Sequence, residues 1–137
     1  MASKKTILIV DKDEDIVMLM KDALGSYDSS YAIDFVPDAA ECLGYIAENE
    51  PDVILLNIDL PDMDGFTLRQ KLKITDTKDV PVIFLVDGYD PDMTKKVGML
   101  SADDFMAKPV NIYELILRIQ KVMVWRCYGR RKKQRKA

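Results

Sequence analysis

Short apolar runs recur along the chain, and their length and composition predict β-strands. Each run has four to seven residues and is bounded by polar or turn-forming residues, which favours a strand over a helix. The runs are Thr6–Val10, Tyr31–Val36, Asp52–Leu56, Val80–Val86 and Asp104–Ala107. The third run is apolar without interruption after Asp52, which is typical of a strand that helices cover on both faces of a parallel sheet.

Between these runs, apolar residues recur at intervals of three and four, and this spacing predicts helices. The stripe of the first helix consists of Ile16, Leu19, Met20, Ala23 and Leu24. Gly25 follows it and is expected to end the helix. Further helices are expected to start near Asp38, Asp64 and Pro91. The clearest stripe follows the cap residue Asn111 and consists of Ile112, Leu115, Ile116, Ile119, Val122 and Met123.

Five strands alternating with helices predict a doubly wound α/β domain with a parallel sheet and right-handed crossovers. Binding sites in such sheets lie beyond the carboxyl ends of the strands. The residues expected there are Asp11, Lys12, Asp13, Asn57, Asp59, Val86, Asp87 and Lys108. Functional chemistry is therefore sought among these side chains.

Composition narrows the class of protein. The 137 residues suffice for one domain with a proper core, and no apolar run approaches the length of a membrane span or a secretory signal. The chain has no histidine, which excludes Ser-His-Asp and Cys-His catalysis and zinc sites that need imidazole. Cys42 and Cys127 show no disulfide or metal spacing, so we expect free thiols in a reducing cytoplasm.

Charge is distributed unevenly along the chain. All 23 acidic residues precede residue 126, whereas seven of the 20 basic residues lie at 126–137, so the first 125 residues carry net −10 and the tail +7. We therefore divide the chain into a domain at 1–125 and a basic tail or linker at 126–137. The tail could bind nucleic acid or anionic lipid, or fold back on the acidic domain. We favour a solvated linker and do not expect nucleic acid as a partner, because the acidic body repels it.

From about Lys4 to Trp125 the sequence resembles the receiver domain of bacterial two-component response regulators. The resemblance rests on ordered segments at the ends of the predicted strands: ILIVDKDED at 7–15, PDVILLNIDLPDMDGF at 51–66, VPVIFLV at 80–86 and SADDFMAKPVN at 101–111. It implies a flavodoxin-like three-layer (βα)5 sandwich whose five-stranded parallel sheet has the order 2-1-3-4-5.

The resemblance also implies a mechanism. In this family a carboxylate at the end of the third strand takes phosphate from a histidine kinase, with Mg²⁺ held by acidic residues and a lysine nearby. Asp11 matches the first acidic position, Lys108 the lysine, and Phe105 the aromatic switch position. The bond from Lys108 to Pro109 is a candidate for the cis form.

Several positions depart from the family pattern. Asn57 occupies the phosphoacceptor position, and a neutral amide is a very poor nucleophile. Lys12 replaces a second acidic residue, so the affinity of the site for metal should fall. Lys12 itself is either an ordinary exposed lysine or an ion-pair partner of Asp13, Asp59 or Asp87. Val86 replaces a phosphate-binding hydroxyl and could simply be core. Asp87 adds negative charge beside any phosphate.

We therefore expect a non-enzymatic, atypical receiver, or pseudo-receiver, that acts in the cytoplasm by binding signalling proteins such as a histidine kinase, an output domain or an adaptor. No cofactor should be required; Asp11 and Asp59 are the candidates for weak Mg²⁺ binding. By resemblance, the partner surface is expected to be the face of the fourth helix, fifth strand and fifth helix, which many receivers use for dimerisation or output contacts, so a homodimer is one candidate assembly.

Two alternatives stay open. One is a working phosphoacceptor that uses Asp59 or Asp13, or that carries an engineered Asp-to-Asn change at 57. The other is an adaptor that binds nucleic acid through its tail.

Overall fold

The predicted alternation of strands and helices forms one parallel sheet with helices on both faces. The structure, a computed structural model, describes residues 4–74, 80–87, 92, 104–108 and 110–135. The strands are β1 Lys5–Val10, β2 Tyr31–Val36, β3 Val53–Asn57, β4 Val82–Asp87 and β5 Asp104–Lys108. The helices are α1 Glu14–Tyr27, α2 Ala39–Glu48, α3 Gly65–Lys73 and α4 Ile112–Arg135, the last being the fifth helix predicted from the sequence.

The strand order is β2-β1-β3-β4-β5, and all neighbouring strands are parallel, which confirms the flavodoxin-like α/β fold. The register places Val10 beside Leu56 and Asp87 beside Lys108. The carboxyl ends of β1, β3, β4 and β5 therefore meet at one edge of the sheet, which we call the carboxyl edge.

Two apolar clusters cover the two faces of the sheet. Ile9 and Leu55 belong to the cluster that α1 and α4 contribute to, whereas Val10 and Leu56 belong to the cluster with residues of α2 and α3. All four residues are 0% exposed. Successive residues of β1 and β3 thus face opposite layers, which explains why the apolar runs are continuous.

Each helix starts where the sequence supplies a side-chain acceptor for its free N–H groups. Asp13 caps α1, Asp38 caps α2 and Asp64 caps α3. Asn111 precedes α4 and accepts a hydrogen bond from the Glu114 N–H at 3.1 Å. The predicted helix starts at Asp38, Asp64 and Asn111 are confirmed.

The prediction for α1 was wrong in two respects. The helix continues through Gly25 to Tyr27, and the Asp28 N–H closes it by donating to the Leu24 carbonyl oxygen. Leu19, predicted to face the core, is 66% exposed, whereas Val17 is 0% exposed. Met20 and Leu24 are buried as predicted, so the error concerns one position of the stripe: Val17 takes the place assigned to Leu19, which lies on the opposite side of the helix.

Other boundaries differ by one or two residues from those predicted. β3 spans Val53–Asn57 rather than starting at Asp52, and β4 starts at Val82 rather than Val80. The helix expected near Pro91 lies outside the described residues apart from Asp92, and so does Pro109 with its predicted cis bond.

Helix α4 begins as predicted but is longer. Leu115, Ile116, Ile119 and Val122 of its predicted stripe are buried, and the helix then continues to Arg135, so most of the basic tail is helical backbone. No helix within the described ranges is both long and apolar enough to span a bilayer.

Candidate functional site

Two polar side chains are buried at the carboxyl edge. Asp11, directly after β1, is 2% exposed, and Asn57, the last residue of β3, is 4% exposed. Asn57 Nδ2 donates to Asp11 Oδ1 at 3.3 Å and to the Asp59 carbonyl oxygen at 3.1 Å. Because β1 and β3 are neighbours in the sheet, the predicted meeting of these two residues is realised as a direct hydrogen bond.

Lys108, at the end of β5, completes this buried group. Its Nζ lies 2.9 Å from Asp11 Oδ2, and the two side chains are 13% and 1% exposed. The Asp13 N–H also donates to Asp11 Oδ1, at 3.0 Å. The Asp11 carboxylate thus receives hydrogen bonds from an ammonium, an amide and a backbone N–H, which offset the cost of burying its charge.

The other charged residues predicted here are more exposed. Lys12 Nζ lies 3.8 Å from Asp59 Oδ2, and the two side chains are 52% and 72% exposed. Of the three carboxylates considered as partners of Lys12, Asp59 is therefore the nearest. The Asp13 side chain accepts hydrogen bonds from the N–H groups of Asp15 and Ile16, which makes it a helix cap. Asp87 is exposed at the end of β4.

The two switch-equivalent residues are apolar and pack in the core. Val86 is 5% exposed within the cluster that contains Phe84, and the partly buried Phe105 packs against the same cluster. Val86 has no hydrogen-bonding group in its side chain. The core interpretation of Val86 accounts for its position.

The loop from β3 to α3 closes tightly around Asn57. The Gly65 N–H donates to the Ile58 carbonyl oxygen at 2.7 Å. A Cβ on Gly65 would lie 2.9 Å from both the Asn57 carbonyl oxygen and the Ile58 Cα, closer than real Cβ contacts come. A glycine is therefore required at the start of α3, where the chain passes close to the end of β3.

The sequence did not reveal the role of Asp62 in this loop. Its carboxylate accepts hydrogen bonds from the N–H groups of Ala39 and Ala40, both at 2.9 Å, at the start of α2. These bonds lower the pKa of Asp62. Asp64, two residues later, caps α3, and only the fold shows that Asp62 serves a helix more than twenty residues away in sequence.

The donor set does not fit Mg²⁺. No group of three or more acidic, histidine or cysteine side chains in the described part of the chain is placed to hold a metal ion. Mg²⁺ favours near-octahedral oxygen ligands, yet each of the candidate carboxylates, Asp11 and Asp59, has a lysine ammonium beside it. A metal would compete with these cations for the two carboxylates.

Comparison with known proteins identifies the family. The family model for the response regulator receiver domain matches residues 7–120. The response regulator GtcR of Aneurinibacillus migulanus is 38% identical over 117 residues, which cover 85% of this chain and 46% of that protein. The transcriptional regulatory protein PrrA of Mycobacterium tuberculosis is 32% identical over 117 residues, covering 85% and 49%. The chain spans about half the length of these relatives.

Solved structures agree with the sequence matches. A CheY-like response regulator receiver domain protein from Methanospirillum hungatei superposes with a TM-score of 0.83 and 27% identity, covering 93% of this chain and 99% of that one. A two-component response regulator from Clostridium difficile gives a TM-score of 0.79 and 27% identity, covering 88% and 96%. With the fold, the family match and the sequence relatives in agreement, the chain belongs to the response regulator receiver domain family.

Proposed function

We propose that this receiver domain is an atypical one that acts by binding other signalling proteins, without forming an aspartyl phosphate. The observation that carries the proposal is the buried amide of Asn57 at the end of β3, which donates a hydrogen bond to Asp11. A carboxylate at this point could accept a phosphoryl group as a mixed anhydride, but a neutral amide oxygen is too poor a nucleophile.

The surroundings of Asn57 support the same proposal. Lys108 neutralises Asp11 at 2.9 Å, and Lys12 places a second cation beside Asp59. Val86 provides no hydroxyl to bind a phosphoryl oxygen, and Asp87 adds a negative charge next to it in sequence. The site therefore needs no cofactor, and Asp11 with Lys108 stabilises the carboxyl edge of the sheet.

The other carboxylates are poorly placed to replace the missing acceptor. Asp13 is occupied as the cap of α1, and the Asp59 side chain is 72% exposed, where solvent surrounds it. Phosphoryl transfer depends on positioning and on electrostatic stabilisation in a site shielded from water, and neither residue has such an environment.

The test is to incubate the full chain with acetyl phosphate and Mg²⁺ and to measure its intact mass. We expect the mass to stay unchanged. A phosphate adduct that hydroxylamine removes would be an acyl phosphate and would refute the proposal; peptide mapping would then show whether Asp59, Asp13 or another residue carries it.

Relatives suggest the kind of partner. Those described above are named as response regulators or transcriptional regulatory proteins, and each is about twice as long as this chain. We propose a histidine kinase, an output domain or an adaptor as the bound protein, and the cytoplasm as the place where they meet.

A homodimer through the face of β5 and α4 also has support. Tyr113, Leu117 and Val124 are 81%, 66% and 65% exposed and lie at positions i, i+4 and i+11 of α4. This spacing places them on one side of the helix, opposite the stripe that packs on the sheet. Exposed apolar side chains aligned in this way are typical of a surface that another protein covers. The predicted fourth helix of this face lies outside the described residues.

A further inference from the structure

The direction of α4 determines the edge of the sheet from which the basic tail starts. The helix begins after Asn111, at the carboxyl edge, and Arg118 Nη1 contacts Asp104 Oδ1, at the start of β5, at 2.5 Å. Gln120 Nε2 then donates to the hydroxyl oxygen of Tyr27, the last residue of α1, at 3.0 Å. By Gln120, α4 has therefore crossed the sheet and reached the edge opposite the buried Asp11.

The helix then runs beyond the domain. Among the residues of α4 whose side chains the structure describes, Val122 is the last in the core, at 1% exposure, and Met123 packs partly against the same cluster. Residues 124–135, which we call the projecting segment, continue the same helix and add about 18 Å at 1.5 Å per residue. A helix that grows from a packed one needs no new nucleus, and cations near its carboxyl end interact favourably with the helix dipole.

The projecting segment is strongly basic. It carries Arg126, Arg130, Arg131, Lys132, Lys133 and Arg135, Lys136 follows it, and no acidic residue lies among them. We propose that this segment docks on the phosphate backbone of double-stranded DNA. The proposal goes beyond the interaction function proposed for the domain and does not depend on the state of Asn57.

The length of the projecting segment reduces the repulsion between the acidic body and a nucleic acid bound at the end of the segment. The sequence predicts that the acidic body repels nucleic acid, but the Debye length at physiological ionic strength is about 8 Å. Along the helix axis the end of the projecting segment is about 18 Å past Met123, or about two Debye lengths, whereas Arg126 lies within one. The backbone of the segment continues α4 away from the carboxyl edge, where Asp11 lies.

Other polyanionic partners fit less well. A helix that lies on a membrane needs an apolar face, whereas the apolar residues of the projecting segment all precede Gly129 and residues 129–136 carry no apolar side chain. A phosphate backbone needs only cations, and these are abundant in the segment.

The experiment is a salt titration of binding between the full chain and a fluorescein-labelled 20-base-pair DNA duplex of mixed sequence. If all six cations of the projecting segment contact phosphates, the plot of log affinity against log salt should have a slope of about −5. The pair Lys132→Gln and Lys133→Gln should make this slope shallower by about 1.8. The matched pair Lys71→Gln and Lys73→Gln removes the same charge from α3, on the other face of the sheet, and should leave the slope unchanged.

Three results would overturn the proposal. They are no binding to the duplex at 50 mM salt, an equal effect of the two variant pairs, and binding to phosphatidylserine vesicles with none to DNA. The last result would assign the segment to membranes. An acyl phosphate found on the wild-type chain would refute the proposed function but would leave this test unaffected.

Discussion

Two lysines at the carboxyl edge pair with carboxylates whose burial differs greatly. Lys108 contacts Asp11, whose side chain is 1% exposed, whereas Lys12 lies 3.8 Å from Asp59, whose side chain is 72% exposed. Removing one partner of a buried pair leaves an uncompensated charge, which costs about 3–5 kcal/mol, whereas exposed pairs contribute about 0–1 kcal/mol.

We therefore predict that Lys108→Met lowers the free energy of unfolding by about 3 kcal/mol, measured by urea denaturation. Lys12→Met is the matched control and should change it by less than about 1 kcal/mol. Adding Asp11→Asn to Lys108→Met should recover part of the loss, because the buried charge is then removed. Equal effects of the two lysine substitutions would contradict the structural role of Lys108.

Gly25 and Gly65 differ in whether the fold leaves room for a Cβ atom. A Cβ on Gly25, inside α1, would meet nothing within 4 Å, whereas a Cβ on Gly65 would meet the backbone of Asn57 and Ile58 at 2.9 Å. Gly25→Ala should raise the free energy of unfolding by about 0.5–1 kcal/mol, since alanine favours a helix interior. Gly65→Ala should lower it by roughly 1–3 kcal/mol, because the loop must shift. Thermal unfolding of both variants checks this, and a stabilising Gly65→Ala would disprove the close approach.

At the scale of elements, Asp62 joins the loop after β3 to the start of α2. Hydrogen bonds from the Ala39 and Ala40 N–H groups lower its pKa in the folded state below the value in the unfolded chain. A lowered pKa stabilises the fold at pH values above the unfolded pKa, near 3.8, and this stabilisation disappears as the pH falls below it.

Asp62→Asn should therefore lower the melting temperature at pH 7, and the difference from the wild type should shrink toward pH 3. Asp22→Asn is the control, because Asp22 is an exposed carboxylate on α1. If the deficit of Asp62→Asn were as large at pH 3 as at pH 7, the charged cap on α2 would be refuted.

Sequence patterns predicted the elements well where a local rule decides them. The strands follow from apolar runs, and Asp38, Asp64 and Asn111 mark helix starts because a cap depends only on nearby N–H groups. The pattern failed at Gly25, where α1 continues to Tyr27 and ends with the Asp28 N–H donating to the Leu24 carbonyl oxygen. It also gave no length for α4, because the segment after Met123 lacks an apolar stripe.

At the scale of the whole molecule, the carboxyl edge could be located from the sequence but not its contacts. The rule that strand ends meet brought Asp11, Asn57 and Lys108 together correctly. That Lys108 pairs with Asp11 and that Lys12 lies nearest Asp59 depends on side-chain geometry in three dimensions. The same holds for Asp62, whose partners are distant in sequence.

The apolar surface of α4 leads to a prediction about assembly. Leu117 on α4 and Leu19 on α1 are both 66% exposed, so they differ in location and not in exposure. If the proposed dimer forms through α4, Leu117→Lys should raise the dimer dissociation constant at least about tenfold, as expected from a loss of 1.4 kcal/mol or more at an interface. Leu19→Lys should leave it unchanged. Sedimentation velocity over a concentration series measures both, and equal effects would exclude α4 as the interface.

We propose that Asn57 belongs to a site that has lost the phosphoacceptor chemistry at several positions, and is not a single change in a working site. The most direct measurement is the time course of acyl phosphate formation from acetyl phosphate and Mg²⁺, followed by intact mass. The wild type should form none, Asn57→Asp should react slowly, and Asn57→Asp with Lys12→Asp should react faster because a competing cation near the site is gone. An adduct on the wild type, or a single variant as fast as the double variant, would contradict the account.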